Sequence, residues 1–296
     1  MRKAAILSDI HGNLHMLLKA LDICKDQGVE RYIFLGDMVT DGPDSLAVLD
    51  IISNLTDDVI RGNREEYMIS YHKGERDIWD DNHQCESLVK TYENLNDVGL
   101  GYISSLPNVK RISLFGIDTL MVHGSHISTR HFILPSSHID TFMDMYDRYD
   151  CSLFLLGHAH QSYCLKIKDK HFINPGPLGI PCAMKCYNRD DAFSIGIISV
   201  DENTKNFDYE NVYIQYDPDE LSSYYLKDID KYKHDFWIKL IADSFYTKFY
   251  HSLDFLHKAQ NMARDGGYEN YDPIPNEIWV KAAEKWIKEH KESMIF

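Results

Sequence analysis

Long hydrophobic runs are missing from this sequence. A membrane helix needs roughly 18 consecutive apolar residues, and no stretch approaches that length although 44% of the 296 residues are hydrophobic. Positive charge is also scarce, with 31 Lys and Arg against 46 Asp and Glu and a formal net charge of −15. A groove for nucleic-acid backbone needs clustered cations, so the balance argues against such a partner. Small anionic substrates stay open, because bound cations reverse a local field. The six cysteines (Cys24, Cys85, Cys151, Cys164, Cys182 and Cys186) include no C-x-x-C pair. They read as reduced structural thiols rather than a disulfide framework or a sulfur-rich metal site. Internal repeats and low-complexity segments are lacking as well. Only four apolar residues separate Met1-Arg2-Lys3 from Ser8-Asp9, too few for a secretory signal core, so a soluble cytoplasmic protein is expected, with no membrane partner.

What is present is a rhythm. Ala4 to Leu7 is an unbroken apolar run that predicts a strand buried on both faces. It stops at Ser8-Asp9-Ile10-His11-Gly12-Asn13. Alternation along an extended segment would put Asp9 and His11 on one side, so that carboxylate and imidazole converge. Asn13 suits the N-cap of a helix over 14–26, with Leu14, Leu17, Leu18, Leu21 and Cys24 on its apolar stripe. A second strand, Tyr32 to Leu35, ends in Gly36-Asp37; Asp41-Gly42-Pro43 makes a turn into a helix over 44–55. A third strand, Val59 to Arg61, ends in Gly62-Asn63-Arg64-Glu65. This βαβ order predicts a layered α/β domain with its polar strand ends along one carboxyl edge.

Residues 65–107 read as a helical insertion. Strands follow over 109–114 and 118–122, the second running into His123-Gly124-Ser125-His126. A helix over 137–149 precedes a strand over 153–156 that ends in Gly157-His158-Ala159-His160. Further strands are expected over 163–167, 171–173, 193–200 and 207–214. Beyond these come a long helical pattern over 232–264 and a final helix capped by Asn276. The chain therefore divides into a catalytic domain over 1–216 and an all-helical C-terminal cap over 217–296.

The strand ends carry D-x-H, G-D, G-N, H-G-x-H and G-H-x-H in that order. The pattern resembles the calcineurin-like metallophosphoesterase family over residues 1 to about 215. Its small bacterial phosphodiesterase branch has a loop like Asn174-Pro175-Gly176-Pro177-Leu178-Gly179. The resemblance implies an α/β/β/α sandwich and a dinuclear metal site. It assigns Asp9, His11 and His160 to one metal and Asn63, His123 and His158 to the other, with Asp37 bridging. A carboxylate-linked pair of divalent cations activates water and clamps phosphoryl oxygens for in-line displacement. Mixed imidazole and oxygen donors suit manganese or iron, with zinc also possible, better than calcium.

Arg64 departs from that pattern, which usually places histidine there, paired with the following acid. Arginine stays protonated and cannot be the proton donor, yet it can clamp phosphate with two parallel hydrogen bonds. A site without a general acid favours leaving groups that need no proton, such as a nucleoside phosphate or a phenolate. The alternative for Arg64 is a pair with Glu65 or Glu66; the alternative for His126, which would otherwise replace the missing acid, is a structural role. Catalytic roles thus fall to Asp37, Asn63, Arg64 and His126, and substrate contacts to Arg64, His126, Arg130 and Arg189, with Lys185 a further candidate. The aromatic pairs Tyr224-Tyr225, Phe236-Trp237, Phe245-Tyr246 and Phe249-Tyr250 read as core first and base-stacking platforms second. The expected activity is hydrolysis of phosphodiester or phosphoanhydride bonds in small nucleotide-like substrates, with dinucleoside polyphosphates such as diadenosine tetraphosphate foremost. A serine/threonine protein phosphatase and a silent protein-binding scaffold are the rivals.

Overall fold

Strand, helix, strand, helix is how the chain begins: β1 (Arg2–Leu7), α1 (Leu14–Asp26), β2 (Arg31–Phe34) and α2 (Ser45–Leu55). Three more helices follow, α3 (Asn63–His72), α4 (Glu86–Asn94) and α5 (Asp97–Ser105). The hairpin β3 (Val109–Leu114) and β4 (Ile117–Val122) leads to α6 (Ile139–Arg148). Strands β5 (Leu153–Leu155), β6 (Ser162–Ile167), β7 (Lys170–Pro175), β8 (Ser194–Val200) and β9 (Phe207–Tyr213) come next. Helices α7 (Pro218–Leu226), α8 (Phe236–Thr247), α9 (His251–Asp265) and α10 (Asn276–His290) complete the order. This computed structural model describes residues 1–181, 192–247, 251–268, 272–291 and 294.

The strands form two sheets, β2-β1-β8-β9 and β3-β4-β5-β7-β6. Side-chain alternation then sets the layers. Ala4 and Ile6 share a cluster with Met121, Leu155 and Ile173 between the sheets, whereas Ala5 and Leu7 join Met16 and Leu17 of α1. On the second sheet Leu120, Val122, Phe154 and Phe172 turn outward onto Phe142 and Met145 of α6. The rings of Phe154 and Phe172 stack at 4.3 Å. The result is the anticipated α/β/β/α sandwich with helices at its C-terminal end.

Several local expectations are corrected. Val59 to Arg61 is not a strand, for only Val59 bridges to Phe34. Pairing stops there because the Arg61 N–H donates to the Pro107 carbonyl at 3.0 Å and α3 starts at Asn63. The polar strand ends accordingly come from both sheets rather than one edge. Leu18 is 47% exposed, one step around the helix from the buried Leu17. The helical pattern over 232–264 appears as α8 and α9. Asn276 opens α10 instead of capping it, and its amide accepts from the His83 N–H at 2.9 Å and donates to the Asp81 carbonyl at 2.8 Å. Cys24, Cys85 and Cys151 are buried free thiols and Cys164 an exposed one; Cys182 and Cys186 lie outside the described residues. No helix among the described residues is long and apolar enough to cross a membrane.

Residue 216 marks no gap in the core. One apolar cluster runs from Met16 and Leu17 through Phe193 and Ile195 to Leu221, Trp237, Phe245, Phe255 and Trp279. Each large side chain withdrawn from water in this way contributes about 1.5–3 kcal/mol. A chain cut after Tyr216 would expose Phe193 and Ile195, and we expect it to lose the cooperative thermal transition seen by near-ultraviolet circular dichroism. A sharp transition at the full-length melting temperature would show that the C-terminal helices fold as a separate unit.

Candidate active site

Beyond Leu7 the chain leaves extended geometry. Asp9 (φ 54°), His11 (φ 48°), Asp37 (φ 51°), His158 (φ 63°) and His160 (φ 48°) are all left-handed. Such residues cost on the order of 1 kcal/mol each and persist where their surroundings hold them. Left-handed turns, not strand alternation, therefore aim Asp9 and His11 at one point. Backbone hydrogen bonds supply the hold: the Asp9 N–H donates to Gly36 O (3.1 Å), His11 N–H to Asp37 O (2.9 Å) and Gly12 N–H to Met38 O (2.8 Å). Within the second sheet Gly157 N–H donates to His123 O, and between the sheets Gly179 N–H, in the loop after β7, donates to Asp9 O, both at 2.8 Å. Asn13 caps α1 as expected, accepting from the Met16 N–H at 3.1 Å, while its amide donates to Gly179 O at 3.1 Å.

These turns gather two trios, Asp9 with His11 and His160, and Asp37 with His123 and His158, whose donor atoms lie within 4.8 Å of one another in each. Asp9 Oδ1 is 3.3 Å from His160 Nε2, and His160 Nε2 is 3.1 Å from His11 Nε2. Asp37 Oδ2 lies 3.3 Å from His123 Nε2 and 3.9 Å from His11 Nε2, which puts this carboxylate between the trios. Asn63 Oδ1 is 3.3 Å from His123 Nε2. The His123 Nδ1–H donates to Leu35 O at 2.6 Å, directing Nε2 into the site. Asp9 Oδ2 accepts from Ser8 Oγ at 2.6 Å and the His158 N–H at 3.0 Å, but buried Asp9 Oδ1 has no hydrogen-bond partner among the described residues. An uncommitted buried carboxylate oxygen facing imidazole nitrogens fits a divalent cation.

Burial disfavours every charge here, and the pairs decide which survive. The Asp37 carboxyl is held well below the usual range against burial by the charges of His123, His11 and Arg64. Asp9 comes down to about 2, where His160 and His123 overcome burial. Burial opposes the His123 charge too, but Asp37 and Asp9 raise that ring to about 10. His158 goes the other way, to about 4, from burial and the neighbouring His123 charge.

Asp41, read from the sequence only as part of a turn, is a buried hub. Its Oδ1 accepts from Trp237 Nε1 of α8 at 2.9 Å, and its Oδ2 lies 3.4 Å from His11 Nδ1 and 3.3 Å from Arg64 Nη2. Arg64 thus has Asp41 as an ionic partner, in place of the pair with Glu65 or Glu66 held as the alternative. Glu65, fully buried, accepts from the N–H groups of Asp37 (2.9 Å), Met38 (2.8 Å), Val39 (3.3 Å) and Gly62 (2.7 Å). Glu66 is taken by Thr129 and Asn108. A side chain on Gly62 would collide with Asp37 Oδ1, so this turn admits only glycine.

A cavity of about 460 Å³ opens over the trios, walled by His11, Asp37, Arg64 and His160 and roofed by Leu253 and His257 of α9. A second arm of about 340 Å³ shares Asn63, Arg64 and His158 with it and runs past Tyr67 and Arg76 to Trp237. The roofing residues carry no sequence motif. His126 lines neither arm; its Nε2 is 2.7 Å from Asp144 Oδ2 of α6, and its ring sits edge-on to Tyr149. Arg130 places its guanidinium 4.5 Å over the Tyr67 ring. Arg189, Lys185, Phe249 and Tyr250 lie outside the described residues. Of the other aromatics, Tyr225, Trp237 and Phe245 are buried in the core.

A family model described as the calcineurin-like phosphoesterase superfamily domain matches residues 2–203. An uncharacterized protein of Methanocaldococcus jannaschii is 24% identical over 230 residues, covering 72% of this chain and 87% of that protein. A phosphodiesterase of the same organism is 26% identical over 176 residues, covering 59% and 82%. The crystal structure of a metallophosphoesterase from Sphaerobacter thermophilus shares the fold, with a TM-score of 0.60 at 20% identity over 85% of this chain and 99% of that one.

Glu65→Gln would turn an amide N–H₂ toward backbone donors that now find carboxylate oxygens. We expect a loss of about 1–3 kcal/mol, the cost of unsatisfied buried donors. Denaturant unfolding measures it, and an unchanged midpoint would show that Glu65 does not anchor the turns.

Proposed function

The chain belongs to the calcineurin-like phosphoesterase superfamily, and we propose on that premise that Asp9, His11 and His160 hold one divalent cation and Asn63, His123 and His158 a second, with Asp37 between them. It is a metal-dependent phosphoester hydrolase. The observation that carries the ligand assignment is the Asp37 carboxylate, 3.3 Å from an imidazole of one trio and 3.9 Å from an imidazole of the other. Manganese or iron, with zinc as a further candidate, suits these donors. Cations bound there would acidify water and offset charge on a phosphoryl group. The chain's own residues do the rest: Leu35 O fixes the His123 ring, and Arg64, steadied by Asp41, donates to phosphoryl oxygens and transfers no proton.

The substrate in this reading is a small phosphodiester or phosphoanhydride with a nucleotide-like body, dinucleoside polyphosphates foremost, met in the cytoplasm. Cavity arms of about 460 and 340 Å³ suit a ligand of that size. The α9 roof speaks against the flat access a protein phosphatase needs. None of the seven expected ligands is lost, which speaks against a silent scaffold.

Asp37→Ala is expected to abolish activity and most bound metal, while Asp208→Ala, exposed on β9, loses neither; full metal by elemental analysis in the Asp37 variant would overturn the assignment. For Arg64, the measurement is kcat/KM over phosphodiesters with graded leaving groups. Arg64→Lys keeps charge without the planar fork and should cost about 1–3 kcal/mol. Arg64→His should improve alkyl esters relative to aryl esters. Parallel plots for Arg64→His and wild type would remove residue 64 from leaving-group chemistry.

A further inference from the structure

Three of the chain's ten arginines gather around one ring. The guanidinium carbons of Arg64, Arg76 and Arg130 stand 5.8, 6.0 and 4.5 Å from the centroid of Tyr67. Like charges repel, and a chain of net charge −15 has acids to spare for neutralising them. Yet Arg76 and Arg130 have no ion-pair partner among the described residues. Arg76 is half-buried and held by aromatics instead: its guanidinium lies 5.3 Å over Trp79, whose other neighbour Tyr71 stacks at 5.7 Å. Stacking fixes a guanidinium in place while its N–H fork remains available for bidentate contact. Two acids share the second arm: Asp41 is committed to Arg64, His11 and Trp237, and Asp272 lines the same wall. Arg64 belongs to both arms and Arg76 to the second, while the exposed Arg130 lines neither and joins the group over the Tyr67 ring of the second arm, so the arginine group begins where the metal-facing arm ends.

We propose that Arg64, Arg76 and Arg130 around Tyr67 form a subsite for a second phosphate group, the one that leaves, so that the substrates are phosphoanhydrides in which the attacked phosphorus carries another phosphate. This rests on the phosphoesterase reading above and narrows it. In the reaction, water oxygen forms a bond to the phosphorus lying over the trios, and the bridging P–O bond on its far side breaks. The bond's electron pair stays on the departing phosphate, which leaves as an anion without a proton, and the proton lost by water passes to solvent. An alkoxide leaving group would need the proton that Arg64 cannot give; a phosphate needs only the cations that surround Tyr67.

The test uses the full chain loaded with manganese and two substrates, diadenosine tetraphosphate and bis(4-nitrophenyl) phosphate. The ratio of their kcat/KM values should fall at least tenfold in Arg76→Gln and in Arg130→Gln. Inorganic pyrophosphate titrated calorimetrically into metal-free protein should bind at least tenfold more weakly in the same variants. Arg111→Gln, on β3 and paired with Asp118 outside both arms, removes equal charge and should keep both values. Arg130 is exposed, so its variant tests the subsite even where Arg76→Gln melts early. Ratio and affinity within twofold of wild type in Arg130→Gln would overturn the proposal. A wild-type enzyme that cleaves the aryl diester but no anhydride overturns the subsite and leaves the phosphoesterase reading intact, whereas inactivity on both substrates with metal bound sinks the two together.

Discussion

One buried carboxylate fixes the floor of the site. Glu65 reaches back from the first turn of α3 and accepts from Asp37, Met38, Val39 and Gly62, so the turn after β2 and the entry to α3 are clasped by the same side chain. The clasp closes from the other side as well, since the Arg64 N–H donates to Asp37 Oδ1 at 2.8 Å. Burial and the Asp37 charge push the Glu65 carboxyl up to about 7, against the pull of its backbone donors. The positions of Asp37, of the Asn63 amide and of the Arg64 side chain all follow from this knot. Through the backbone bonds between residues 9–12 and 36–38, so does the geometry of Asp9 and His11.

Asp41 joins that floor to the C-terminal helices. With the Trp237 indole on one oxygen and Arg64 and His11 beside the other, packing of α8 is communicated to an arginine and an imidazole that wall the cavity over the trios. The C-terminal helices are therefore less an appendage than the outer wall of the site. Polar ties reinforce this: Glu86 of α4 accepts from the N–H groups of Lys233 and His234 at 2.7 and 2.6 Å, and Asn82 donates to Ile274 O at 2.9 Å.

The layered α/β order was legible in the sequence because it rests on short-range pattern, whereas the two-sheet sandwich came with the family resemblance. Apolar runs such as Ala4 to Leu7 and Leu153 to Leu155 alternate between two hydrophobic layers, and that alternation needs no knowledge of distant contacts. The convergence of Asp9, His11, Asp37, Asn63, His123, His158 and His160 was legible from motif order together with the family resemblance that order carries. The means of convergence was not, since nothing in D-x-H says that both residues take left-handed backbone. Asp41 escaped notice because its value comes from Trp237, nearly two hundred residues away. His126 looked available for chemistry because its carboxylate partner, Asp144, sits on a different element. Val59 to Arg61 was apolar enough for a strand, but a single carbonyl, that of Pro107, diverts its pairing.

The left-handed backbone at Asp9, His11, Asp37, His158 and His160 also governs how this site can decay. Among side chains, asparagine, aspartate and histidine tolerate that conformation best, glycine takes it freely, and β-branched or bulky residues resist it. A lineage that abandoned the chemistry while keeping the fold would be steered by its own loops toward asparagine and glycine at these positions, and away from valine, isoleucine or threonine. Retired copies of this fold would thus carry a recognisable scar, a run of small or amide side chains at the former donor positions on a skeleton otherwise unchanged.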